Sequence, residues 1–132
     1  MFASLFVLLY AAHLAADYLL QIDHQAKHKG DRCAAGWRAN LAHAATHAAT
    51  TALALVAATT ALDLPIGVLP ALLALVGIAG THAVIDRRWP VAHWMRIARQ
   101  TTWAQNGGAA HVDQTAHVLV LVVTALALTT TS

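Results

Sequence analysis

Residues 2–21 read FASLFVLLYAAHLAADYLLQ. From Phe2 to Leu20 this stretch is apolar around the whole helix, not along one stripe, as expected of a helix surrounded by lipid. A hydrocarbon layer of ~30 Å needs about 20 such residues. The stretch also carries His13 and Asp17, which are costly in that setting and which a spanning helix turns toward the interior of a bundle. These two properties, apolar on all sides and interrupted by one polar pair, recur along the chain and set the fold.

The composition agrees. Of 132 residues 58% are hydrophobic and 11% charged, and the mean hydropathy is +0.57. An ordinary soluble domain carries about 25% charged residues. Hydrophobicity excludes a disordered chain, and one cysteine excludes a disulfide framework or a multi-cysteine zinc ribbon. A net charge of +2 is too small for a nucleic-acid-binding surface.

Three further apolar segments follow, at about 41–62, 66–85 and 112–128. The second span is rich in Ala and Thr, and with Gly77 and Gly80 on the third it suits close helix packing. Asp63-Leu64-Pro65 breaks the chain between spans two and three, and Asn106-Gly107-Gly108 interrupts it before span four. The expectation is one all-α integral-membrane domain over 1–132, a four-helix transmembrane bundle.

All 8 basic residues lie in two segments. Lys27, Lys29, Arg32 and Arg38 lie between spans one and two; Arg87, Arg88, Arg96 and Arg99 lie between spans three and four. The positive-inside rule makes both segments cytoplasmic and both termini external. In the second segment Pro90 can open a short helix. Trp89, Trp94, Ile97 and Trp103 interleave there with Arg96 and Arg99, as in an interfacial helix against lipid headgroups. Membrane lipid is the expected partner.

Each span carries a polar pair at i, i+4, which places both side chains on one helical face: His13 and Asp17, His43 and His47, His82 and Asp86, Asp113 and His117. The derived orientation brings all four pairs to the cytoplasmic end. His13, His47, His82 and His117 form a deeper layer; Asp17, His43, Asp86 and Asp113 form a shallower one. Three carboxylates close together in low dielectric repel and take up protons, and divalent cations resolve this. Two ions balance three carboxylates and a bridging hydroxide, so a dinuclear site is expected. His with Asp suits zinc, and also iron or manganese.

Gln21 and Gln114 stand beside these ligands and can orient them by hydrogen bonds; Asn40, Thr46, Thr50 and Thr81 are further candidates. Arg87 and Arg88 can meet a headgroup phosphate, beside their ordinary role as topology anchors. His24, His28, His93 and His111 read as surface residues, and Cys33 as a lone thiol.

The strings HLAADYLLQ (13–21), HAVID (82–86) and DQTAH (113–117) resemble a family of small bacterial integral-membrane proteins of unknown function, with motifs H-x3-D-[FY]-x2-Q, H-x3-D and D-Q-x2-H. That resemblance implies a bacterial inner-membrane location and no particular activity. The layout is also loosely similar to membrane-bound metal-dependent hydrolases, which implies hydrolysis of a lipid or phosphate-containing substrate; the lack of Glu here departs from that pattern.

Four functions therefore stand open. The cluster can serve a metal-dependent hydrolase, a metal carrier, channel or sensor, or a haem site, or it can be a structural network that fixes helix register.

Overall fold

A computed structural model describes residues 1–130. Among them there is no strand. The chain folds into α1 (Phe2–Leu14), α2 (Asp23–His28), α3 (Ala34–Thr60), α4 (Val68–Ile85), α5 (Trp89–Ile97), α6 (Thr101–Trp103) and α7 (Ala109–Thr130). Four helical stretches are long and apolar enough to cross a membrane: Phe2–Leu19, Ala34–Thr60, Val68–Ile85 and Thr101–Thr130. α1 and α4 each pack against both α3 and α7, so the long helices form a ring with α1 and α4 on one diagonal.

The bundle has its polarity inside out. Val7, Leu53, Leu69, Leu72, Val76 and Val123 are exposed, whereas His13, His43, His47, His82, Asp86 and His117 are buried. A soluble monomer rarely shows so much contiguous apolar surface; a helix bundle in lipid does so by construction. The half of the bundle away from the basic segments is filled by an apolar core that includes Leu5, Leu9, Leu55, Ala58, Ile78 and Leu121. The Thr-rich α3 tolerates apolar surroundings because its hydroxyls donate back to its own carbonyls. Thr46 Oγ1 donates to Ala42 O at 3.3 Å, and Thr60 Oγ1 to Val56 O at 2.8 Å. Thr46, Thr50 and Thr81 all spend their hydroxyls this way, so none of them orients a neighbouring imidazole.

Helix boundaries shift from the sequence expectation at three places. α3 starts at Ala34, ahead of the expected Leu41, because Cys33 caps it: its Sγ accepts from Gly36 N at 3.4 Å. Gly36 is required there, since a Cβ would run into the Asp31 carbonyl. The first span leaves regular α geometry at Ala15–Leu19, a wider turn closed by Leu20 N donating to Ala15 O at 3.0 Å. The fourth stretch starts earlier than Val112 and bends at Asn106 and Gly107, where Gly107 has φ 91°, a left-handed value that glycine adopts at little cost.

The expected short helix is α5. Pro90 lies in its first turn and Val91 and Met95 are its buried side, while Trp89, Trp94 and Ile97 are exposed. Arg88, just before it, has φ 64°. Few non-glycine residues adopt that region, and here it turns the chain sharply out of α4.

Candidate metal centre

The i, i+4 spacing does place both members of each pair on one face. The ring arrangement of helices then turns all four faces inward at the basic-segment end. Four imidazoles form a contiguous layer: His47 and His82 stack with centroids 3.4 Å apart, His82 and His117 at 4.2 Å, and His13 lies 5.1 Å from His47 and 5.2 Å from His117. His43 stands next to it, 4.7 Å from His47 and 5.0 Å from His82.

Two carboxylates sit against these rings. Asp17 Oδ1 lies 3.1 Å from both His43 Nε2 and His47 Nε2, and Asp17 Oδ2 lies 3.2 Å from His13 Nε2. Asp86 Oδ2 lies 3.1 Å from His82 Nε2, and Asp86 Oδ1 lies 3.7 Å from His117 Nε2. Five histidines thus direct Nε2 toward two acids.

The two glutamines take up positions beside the ligands. Gln114 Nε2 donates to Asp17 Oδ2 at 3.0 Å, and its Oε1 is 3.2 Å from His13 Nε2. Gln21 Nε2 donates to His43 Nε2 at 2.7 Å. That ring nitrogen therefore presents its lone pair, and it faces Asp17 Oδ1 acceptor to acceptor. A cation at this point relieves the repulsion. Asn40 is fully buried and donates through Nδ2 to Ala83 O at 3.1 Å, tying α3 to α4 beside the cluster.

Several buried atoms are left without an aligned hydrogen bond: His82 Nε2, Asp86 Oδ2, His117 Nε2 and His43 Nδ1. His82 Nε2 and Asp86 Oδ2 are close without being aligned donor to acceptor. Buried polar atoms are normally satisfied, and an exception asks for an ion, a water or a functional reason. The donor set fits a divalent metal. Asp17, His43, His47 and His82 bring ligand atoms within 4.8 Å of one another, as do His82, Asp86 and His117. Bonds of about 2 Å to His nitrogen or carboxylate oxygen close either group with small side-chain movements.

The expected residues do not all converge. His13 and Asp113 are outside both groups. His13 is engaged with Gln114 and Asp17, and Asp113 has 24% of its side chain exposed, with Oδ2 3.5 Å from His117 Nε2. The charge count behind a two-ion centre assumed three carboxylates; here two enter the candidate groups, and the groups share His82.

Arg87 and Arg88 have different surroundings. Arg87 is buried: it donates to Lys29 O at 2.8 Å and Asp31 O at 2.6 Å, and its guanidinium lies 4.2 Å from the centre of the Trp37 ring. It holds the connection between α2 and α3. Arg88 donates to Ala26 O at 2.9 Å but is exposed, so much of its guanidinium stays available.

Lys29 was not anticipated. It bonds to Asp86 Oδ1 at 2.9 Å, with 16% of its side chain exposed against 2% for Asp86. In the sequence it is marked only as one of the basic residues that follow the first span. With Arg88, Asp86, Asp113, Val91, Ala109 and Ala110, Lys29 lines a cavity of about 290 Å³ that leads to the cluster. Among the remaining histidines, His24 lies against His28 with tilted rings at 4.8 Å, His93 Nδ1 accepts from Arg96 at 3.0 Å, and His111 lies over Trp103 at 6.2 Å; none of the four is in the cluster.

No curated protein and no solved structure matches the chain. Residues 5–132 match the model of a family described as protein of unknown function, DUF3307, and the chain belongs to that family.

Proposed function

We propose that this is an integral-membrane, divalent-metal-dependent hydrolase acting on a phosphate-containing substrate at the cytoplasmic face. The observation that carries the reading is the unsatisfied pair His82 Nε2 and Asp86 Oδ2 inside a buried His/Asp cluster, next to a cavity lined by Lys29 and Arg88. One ion held at His82, the ligand common to both groups and the ring that stands between Asp17 and Asp86, is our preferred occupancy. Against the two aspartates, Asp17 and Asp86, one divalent ion and the Lys29 ammonium leave a single positive charge, which suits an anionic substrate, and zinc is favoured by the nitrogen-rich donors.

A metal bound there supplies a water of lowered pKa and polarises a phosphoryl oxygen. The chain's own residues do the rest. Lys29 keeps two of its three ammonium donors free of Asp86 and meets the substrate's negative charge. Arg88 adds a second cation at the mouth. Gln21 and Gln114 fix the orientation of His43 and Asp17. The apolar core behind the cluster supports catalysis over conduction, since it offers an ion no titratable stepping stone toward the far side.

The positive-inside distribution supports a cytoplasmic position for the cluster. The test is elemental analysis of purified protein, wild type against Asp17→Asn and His47→Ala. About one zinc, iron or manganese per wild-type chain, lost in both variants, supports the reading; no bound metal under metal-replete expression sinks it.

A second reading rests on Asp17, whose two oxygens already face three imidazoles and one amide. Such a network can fix helix register without any ion. It predicts thermal stability that chelators leave unchanged.

A further inference from the structure

Next to the polar cavity lies a larger apolar groove of about 520 Å³ between α4, α5 and α7, in the size range of ligand sites, ~300–1,000 Å³. Ile85 and Val91 form its inner wall, and Trp94, Trp103 and Leu119, all exposed, form its rim. We infer that this groove seats the apolar chain of a lipid phosphate whose headgroup lies in the adjoining Lys29–Arg88 cavity. The inference deepens, and rests on, the hydrolase reading above.

Four observations argue for this occupant. The two cavities adjoin, since Val91 lines both. The polar one holds Lys29 and Arg88 beside the Asp86 and Asp113 carboxylates, so that a divalent ion at the cluster would leave it positive toward a phosphate, and the apolar one holds no charged residue. Within the groove, the buried Gln100 Oε1 has no hydrogen-bond partner. A purely structural apolar contact gives an orphan acceptor no purpose, whereas a hydroxyl at the headgroup end of a lipid would satisfy it. The exposed tryptophans on the rim place the groove at the depth where lipid headgroups meet chains. A substrate would therefore enter sideways from the bilayer, not from water.

The probe is a photoreactive single-chain lipid phosphate monoester, incorporated with the purified protein into phosphatidylcholine nanodiscs, with cross-links mapped by mass spectrometry. Cross-links should concentrate on the groove. Unlabelled lysophosphatidic acid should compete, while monoacylglycerol and glycerol phosphate should not. Ala116→Phe, and independently the exposed Thr115→Trp, should each lower groove labelling about fivefold or more, and Gln100→Leu should lower it less. Labelling spread evenly over lipid-facing residues, or unchanged in both filling variants, overturns the proposal. Competition by glycerol phosphate equal to that of lysophosphatidic acid also overturns it, since the chain would then contribute nothing. Metal content measured on the same samples separates the two readings. Groove-dependent labelling of metal-free protein sinks the hydrolase and leaves the lipid site standing, and bound metal with unaltered labelling in the variants does the reverse.

Discussion

The Lys29 ammonium lies 2.9 Å from Asp86 Oδ1, joining the loop after the first span to the end of the third. The lysine stands where a cation is wanted and adds a positive charge to a buried acid whose other neighbours are the His43, His82 and His117 rings. Removing one partner of a buried pair is costly because the other charge stays uncompensated, by roughly 3–5 kcal/mol; partial exposure of Lys29 puts the expectation at the low end. Lys29→Met should lower the unfolding temperature in chelator, and added zinc should recover a larger share of that loss than it adds to wild type. Differential scanning fluorimetry with and without EDTA reads both effects. Equal responses to zinc in the two proteins would show that Lys29 and a metal do not share Asp86.

Gln21 and Gln114 act on ligands rather than on an ion. Partners of this kind typically tune metal affinity about 10–100-fold. Gln21→Leu and Gln114→Leu should therefore weaken metal binding by that order while retaining the helical circular dichroism spectrum. Competition titration with a chromogenic chelator measures it.

Arg87 joins two loop carbonyls to the Trp37 ring. Lysine cannot reproduce the fork or the stacking. Arg87→Lys should cost about 1.5–3 kcal/mol, the scale of hydrogen bonds from a charged donor. It should also raise amide hydrogen exchange between Ala26 and Asp31. Unchanged exchange there would remove Arg87 as the holder of this loop.

The Asp31 carboxylate accepts from the His28 ring, with Nδ1 and Oδ2 2.7 Å apart, and this hydrogen bond holds its pKa below the ordinary value of 3.8. A carboxyl depressed in the folded state contributes stability above its unfolded pKa and loses it as pH falls through the folded one. The contribution is therefore present at neutral pH and disappears only below the usual aspartate range. His28→Ala should bring the Asp31 titration back toward 3.8, read by carboxyl-carbon NMR, with little change in stability at pH 7 because the pair is exposed.

Gly36 leaves no space for a methyl group against the Asp31 carbonyl. Gly36→Ala should destabilise by ~1–3 kcal/mol, the ordinary cost of overpacking, and chemical denaturation in mild detergent should show it. A neutral result would mean that the start of α3 can shift without disturbing the loop.

The helices and the end of the bundle that holds the cluster were legible because both follow from strong constraints. Lipid demands long apolar runs, and the basic residues fall in two segments only. The i, i+4 spacing then puts both members of a pair on one face, in the wide turn that holds Asp17 as in the regular helices. What escaped was local geometry with no periodic signature. The early start of α3 depends on a weak thiol cap at Cys33, and the bend before α7 on one left-handed glycine. Lys29 could not be assigned because a flexible side chain on a short loop has no period to read. Asp113 is spaced like the other pairs, yet it lies far enough toward the end of its helix to remain partly in solvent. Arg87 and Arg88 are neighbours in sequence, and the left-handed residue at Arg88 sends one inward and the other out.

The wide turn at Ala15–Leu19 amounts to an extra residue inserted between His13 and Gln21. A turn of this kind closes over five residues instead of four, so the span ends one residue later than a regular helix would, and the chain leaves it at Leu20 with Gln21 beside His43. Deleting Leu19 or Leu20 would return the turn to four-residue closure and carry Gln21 away from His43. The helix end thus sets the reach of the segment that follows: Asp17 is delivered from within the wide turn and Gln21 from just beyond it, both to the same histidine.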